Sequence, residues 1–351
     1  MHGVRDWIAG NLTFMNGPLQ KKVNVFISGG GGDVADATLD CLNLSSLNLN
    51  IAIASSKKSA LLTYDVNRLI LLPEVNSTNY LSALIKALKL LEIDIFFPTV
   101  AGEMSLIAVH AREIELQTGA KVFVGQDVMV ETFSDKYATT EFLRQNNFAY
   151  PDTCLFDSSA NESSLLKRSQ YPLIAKPRFG NGSKGFLIIR DENDLSQIDR
   201  SKDYVLQEML PISDGEFTAG VYVAKRKTAV GVCILKRLLN NGSTVIAERI
   251  LDSRVETQLE NIAICTELPY VNIQFALREN VVIPFEINPR FSGTTFMQVK
   301  ALNAPEMAIK EQVLNLELEV VKNDHVYRAK RKKVVEFDDG LLEKNEILLW
   351  Q

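Results

Sequence analysis

The chain has 351 residues, 46% hydrophobic and 23% charged, with a formal net charge of −5. A chain of that length buries more than one core, so two or three domains are expected. The acidic balance, without a long basic stripe to release counterions, argues against a nucleic-acid binder, and no stretch approaches the roughly eighteen apolar residues of a membrane-spanning helix. Cys41, Cys154, Cys233 and Cys265 stand far apart in apolar or strand-like surroundings and read as reduced core residues. His2, His110 and His325 show no metal-ligand spacing. With no leader-like cleavage pattern at the N-terminus, a soluble cytoplasmic protein is expected.

Residues 1–22 read as an N-terminal arm. An apolar strand over 23–27 then leads through Ser28-Gly29-Gly30-Gly31-Gly32-Asp33 into a helical pattern over 34–44. Strand, glycine turn and helix open a Rossmann-like unit. Further strands are predicted over 51–54, 68–72, 93–98 and 121–124, with helices over 80–91 and 104–117. Such alternation gives a parallel sheet with right-handed crossovers. Dinucleotide binding by the glycine turn fails on spacing: Val34 stands where the third glycine should be, and no acid closes the next strand.

The segment from Ile174 to Gly185 lies between apolar runs over 171–175 and 186–189. Gly180, Gly182 and Gly185 let backbone N–H groups approach an anion, while Lys176, Arg178 and Lys184 supply charge, so the loop suits a polyphosphate. No helix follows, so it is not a P-loop. Next, a strand ending Gln207-Glu208-Met209-Leu210-Pro211 is followed by one that opens near Asp214 and Glu216, an arrangement that suits a nucleotide slot. A strand over 231–237 ends in Lys236-Arg237, and a turn leads to another over 245–250.

A hairpin over 271–277 and 281–287 carries the most specific pattern. Alternation puts Glu286 and Asn288 on one face, and cross-strand pairing can set Gln274 beside them. Three oxygen donors with one negative charge suit Mg²⁺, which takes its remaining ligands from water and substrate phosphates. Arg290 comes next, with a guanidinium shaped for phosphate or carboxylate oxygens.

In this order and spacing the motifs resemble the ATP-grasp superfamily, most closely the large subunit of carbamoyl phosphate synthetase, over roughly residues 23 to 315. The resemblance implies an ATP-grasp fold, α/β and α+β. It consists of a Rossmann-like parallel-sheet domain (23–130), a lid subdomain (131–204), a central antiparallel-sheet subdomain with a helix over 295–314 (205–315), and a C-terminal strand extension (316–351). It implies ATP with one or two Mg²⁺ ions, Mn²⁺ being a substitute, held by Gln274, Glu286 and Asn288. Arg290 and Lys176 would be catalytic. Lys176, Lys136, Gly180, Gly182, Ser183 and Gly185 would face the phosphates, with Glu208, Met209 and Leu210 along adenine and Glu216 at ribose. Ser28, Gly31, Asp33, Glu103, Lys236 and Arg237 are the implied substrate contacts, although a tight turn, a helix cap and surface charge explain them too. Many such ligases carry an acid where this chain has Gln274, a departure shared with the carbamoyl phosphate synthetase type.

The activity implied is phosphorylation of a small-molecule carboxylate followed by capture with an amine. The non-enzyme alternative is an ATP-binding regulatory protein with a decayed acceptor site, against which the intact donor set argues. A carbamoyl phosphate synthetase proper has two ATP-grasp halves, and this chain shows one donor set; a biotin-type carboxylase would need a carrier partner. Homodimers are common among proteins of this kind. The basic run from Arg328 to Lys333 reads as an exposed strand face.

Overall fold

A computed structural model describes residues 21–66, 68–180, 185–211, 215–240, 242–321, 324–330 and 333–336. The arm over 1–22 therefore lies outside the described residues except for Lys21 and Lys22, as do Gly182, Ser183, Lys184, Asp214 and residues 337–351.

The first sheet is parallel, with β1 (Val23–Ile27), β2 (Leu49–Ser55), β3 (Arg68–Leu71), β4 (Ile95–Phe97) and β5 (Lys121–Val122) in the order β3-β2-β1-β4-β5. Its helices Asp33–Asn43, Tyr80–Leu90 and Met104–Thr118 fall where apolar periodicity places them. Val25, Phe26, Ile27, Phe96 and Phe97 are fully buried, as central strands covered on both faces should be.

A four-stranded antiparallel sheet comes next, formed by β6 (Thr153–Leu155), β7 (Leu173–Pro177), β8 (Leu187–Ile189) and β9 (Tyr204–Glu208) in the order β6-β9-β7-β8. The last of these corrects the expected division at 204: β9 pairs with β6 and β7, so this sheet extends to Glu208. Leu173, Ala175, Tyr204 and Leu206 share one small core, which draws β9 to β7.

The third sheet is antiparallel: β10 (Glu216–Ala224), β11 (Thr228–Asn240), β12 (Ser243–Ile250), β13 (Tyr270–Arg278), β14 (Val281–Asn288), β15 (Tyr327–Lys330) and β16 (Lys333–Glu336), in the order β14-β13-β10-β11-β12-β15-β16. Its back face packs Val221, Ile273, Phe275 and Ile287 against Val255, Leu259 and Ile262 of the helix Ser253–Cys265, which Asp252 caps by accepting from Arg254 and Val255 N–H groups. At the far end of its front face Phe291 packs on Phe97 (ring centroids 5.5 Å apart) and Phe123 (5.2 Å), joining the parallel-sheet domain to this body.

Three further expectations are corrected. The helix expected over 295–314 is two, Thr295–Gln298 and Ala304–Gln312, because Asn303 caps a new start and Pro305 lacks the N–H that a continuing helix needs. Cys265 is exposed, since it ends a helix and not a strand. Lys330 in the basic run is only 7% exposed, because β15 joins the sheet beside β12.

Candidate functional site

Strand parity builds the site. On β7, Leu173 and Ala175 enter the core, so Ile174 and Lys176 point the other way; on β9, Leu206 is in the core and Gln207 on the opposite face. On β13 and β14 the register sets Gln274 opposite Glu286 and Asn272 opposite Asn288. The two faces enclose a cavity of about 390 Å³. Its walls include Lys136, Ile174, Lys176, Gly180, Gln207, Glu208, Met209, Leu210, Glu216, Arg237, Gln274 and Glu286.

Lys176 is buried and donates to Gln207 Oε1 at 2.8 Å and to the Phe285 carbonyl at 3.3 Å. Burial lowers its pKa to about 8, against the attraction of Glu286 and with Lys136 adding to the fall. Gln207, 2% exposed, gives its amide N–H to Thr153 Oγ1 at 2.8 Å. Lys136 opens the helix Lys136–Gln145 and donates to the Gly180 carbonyl at 2.9 Å; burial lowers its pKa as well, opposed by Glu286 and Asp135. Asp135 ties this helix to the glycine-rich segment, accepting from Tyr137 N–H at 2.8 Å and from Arg178 at 2.6 and 2.8 Å.

Glu286 Oε1 accepts from Asn288 Nδ2 at 2.9 Å. That orientation turns the Asn288 amide oxygen away from the shared hydrogen bond; Glu286 lines the cavity, while Asn288, on the same strand face, is buried and not among its walls. The donor chemistry fits a hard divalent cation at Glu286 and Asn288. Gln274 differs: its Oε1 accepts from Arg237 Nη2 at 2.6 Å, and the same nitrogen donates to Glu216.

The other expected residues divide. Glu208 lines the cavity, but its carboxylate accepts from Asp152 N–H at 3.2 Å and Arg278 at 3.3 Å, which leaves strand backbone with Met209 and Leu210 to face a base. Arg290 is not among the cavity walls. It lines a small cleft with Phe97 and Phe123 and donates to the Phe291 carbonyl at 2.9 Å, because the chain turns after Pro289 to reach that aromatic cluster; burial lowers its pKa against the pull of Glu286. Lys236 is exposed on the face opposite Arg237, with its stem over Gly215. Gly185 also lies off the walls, its carbonyl accepting from Tyr204 at 3.1 Å.

Ser28, Gly31 and Glu103 line a separate cavity of about 280 Å³ in the parallel-sheet domain. There Glu103 is fully buried and accepts from Ser28, Tyr80 and the Thr99 and Val100 N–H groups, the last two at 2.9 and 3.0 Å. Burial still raises its pKa. Gly31, at φ +88°, donates to Tyr64 at 2.5 Å. Asp33 sits apart from these three, beside Gly293, Phe296 and Met297.

Two contributors are new relative to the sequence reading. Gln207 was marked by its parity, a polar residue at the inward position between Leu206 and Glu208. The Phe285 carbonyl is freed by a bulge: Gln274 pairs with Glu286 while Phe275 pairs with Pro284. Proline within a strand confined to a sheet edge is the signal for it.

Residues 133–294 match the model of the ATP-grasp domain family, and the chain carries that fold: a parallel-sheet domain followed by two antiparallel sheets that enclose the cavity. In sequence it is similar to the carbamoyl phosphate synthase large chain of Methanobrevibacter smithii, 27% identical over 256 residues, which is 66% of this chain and 24% of that protein. The chain thus spans about a quarter of that relative's length. In structure it is similar to N5-carboxyaminoimidazole synthetase from Staphylococcus aureus complexed with ADP (TM-score 0.67, 14% identity, 88% of this chain and 82% of that one). It is also similar to an L-amino acid ligase from Bacillus licheniformis (TM-score 0.65, 13% identity, 87% and 79%). Among the described residues no helix is long and apolar enough to cross a membrane.

Proposed function

We propose that the protein is an ADP-forming ligase that joins a small-molecule carboxylate to an amine, with ATP bound in the cavity between the four-stranded and seven-stranded sheets. The observation that carries this reading is the convergence of Lys136, Lys176 and Glu286 on one cavity of about 390 Å³, beside an apolar slot at Ile174, Met209 and Leu210. Lysines facing Glu286, a wall carboxylate not paired with an arginine as Glu208 and Glu216 are, next to an apolar slot suit a nucleotide whose phosphates arrive with a metal ion. Adenine lies along Met209 and Leu210, ribose at Glu216, and the phosphates at Lys176 and Lys136. Glu286 and Asn288 would hold Mg²⁺, which would supply positive charge to offset that of the phosphates.

The chain's own groups bind and orient. Lys176, fixed by Gln207 and Phe285, presents a localised charge to the phosphates. A carboxylate oxygen of the substrate attacks the γ-phosphorus, and the bond to the ADP oxygen breaks. The amine lone pair then attacks the acyl carbon, inorganic phosphate leaves, and the amine gives up a proton. Phosphorylation is needed because a carboxylate has no adequate leaving group of its own.

The free thiols Cys41, Cys154, Cys233 and Cys265 accord with a reducing, cytoplasmic setting. Hydroxylamine trapping tests the acyl phosphate directly: a hydroxamate forms from the correct acid only with Mg²⁺-ATP. Amide formation without any trappable hydroxamate would contradict the proposal.

A further inference from the structure

Arg237 is a cation on the wall of the cavity, and its role there presupposes the ATP site proposed above. Its side chain is 8% exposed, and one nitrogen, Nη2, donates to both Glu216 and Gln274 Oε1, the latter at 2.6 Å. Its Nε is buried without a partner among the described residues. Register explains the reach: Arg237 pairs directly with Glu216 on β10, and Gln274 lies on the next strand beyond, opposite Thr218. The guanidinium therefore crosses the middle strand of the site and joins the expected ribose carboxylate to an expected metal ligand.

Charge decides what this arrangement permits. A carboxylate at 274 could hold a guanidinium and a divalent ion together, because its negative charge offsets their repulsion. The neutral amide of Gln274 offers only a dipole, already turned to the guanidinium. Of the carboxylates on the cavity wall, Glu208 is committed to Arg278 and Glu216 to Arg237, whereas Glu286 accepts from the Asn288 amide. We infer that Arg237 takes the place of a second divalent cation, and that the nucleotide site is built for a single metal ion at Glu286 and Asn288.

Mn²⁺ titration of the full chain, followed by electron paramagnetic resonance in the presence of a non-hydrolysable ATP analogue, counts the ions. The wild type is expected to bind one Mn²⁺ per bound nucleotide, the Arg237→Lys variant also one, and the Arg237→Met, Gln274→Glu double variant two. If the double variant does not fold, the Arg237→Met change alone decides, with a second, weaker ion expected because the Glu216 carboxylate and the Gln274 amide oxygen are freed, and its absence overturning the inference. Two ions in the wild type, or one in a folded, nucleotide-binding double variant, would also overturn it. Failure of the wild type to bind the analogue at all would remove the ATP site itself, and is told apart by the missing nucleotide.

Discussion

Lys176 on β7 donates to the carbonyl of Phe285 on β14, at 3.3 Å, and so bridges the two sheets that enclose the cavity. The bond exists because the bulge beside Gln274 leaves Phe285 outside the ladder. An ammonium held by a carbonyl and an amide oxygen keeps its charge aimed without being neutralised. Lys176→Met is expected to weaken ATP binding by about 10- to 100-fold, the loss of a charge-assisted bond of about 1.5–3 kcal/mol. Calorimetric titration with the analogue measures it.

The pH dependence of binding comes from the same residue. Bound phosphates favour the charged ammonium, so the pKa in the complex lies above the value of about 8 in the free protein. Between those values binding takes up a proton, and ATP affinity falls as pH rises, by up to tenfold per unit; below that window this group leaves affinity flat. Stability has the opposite sign. The unfolded lysine titrates near 10.4, so from about 8 upwards to that value the unfolded state binds the extra proton and this group's contribution to stability increases with pH.

Gln207 is a positioning residue for Lys176. Gln207→Glu places a carboxylate where the amide oxygen now accepts at 2.8 Å, and should raise the lysine pKa and move the fall in ATP affinity to higher pH. Gln207→Leu should weaken binding at every pH, because the ammonium loses that acceptor. Affinity profiles from pH 7 to 10 separate the two, and identical profiles for wild type and Gln207→Glu would remove Gln207 from the account.

Glu103 is expected to act through the fold of the glycine turn, since Ser28, Tyr80, Thr99 and Val100 all donate to its carboxylate. Glu103→Ala orphans two hydroxyls and the Val100 N–H and leaves the Thr99 N–H only its longer bond to Ser28 Oγ at 3.1 Å, and should cost at least about 3 kcal/mol. ATP affinity of the protein that remains folded should not change. Denaturant unfolding beside nucleotide titration checks both.

Much of the site was legible in the sequence because strand alternation is local. The parity of Glu286 and Asn288, the turn at Glu279 and Asn280, and the helix start at Lys136 needed only neighbouring residues. The rest depended on partners distant in sequence. The sheet that β9 joins was decided by its shared core with β7. Arg237 looked equivalent to Lys236 until the register set it across from Glu216. The break before Ala304 was masked by apolar residues on both sides, Val299 and Leu302 before it and Met307 and Ile309 after it, which continue a helical period across Asn303 and Pro305.

The most direct test measures ADP and phosphate release with Mg²⁺-ATP against a panel of carboxylates, with and without amines, for wild type and Glu286→Ala. Release that needs one acid and one amine, and falls by about 10²–10³-fold or more in the variant, is the expected result. Turnover that is indifferent to both substrates, or undiminished in Glu286→Ala, would contradict the ligase assignment.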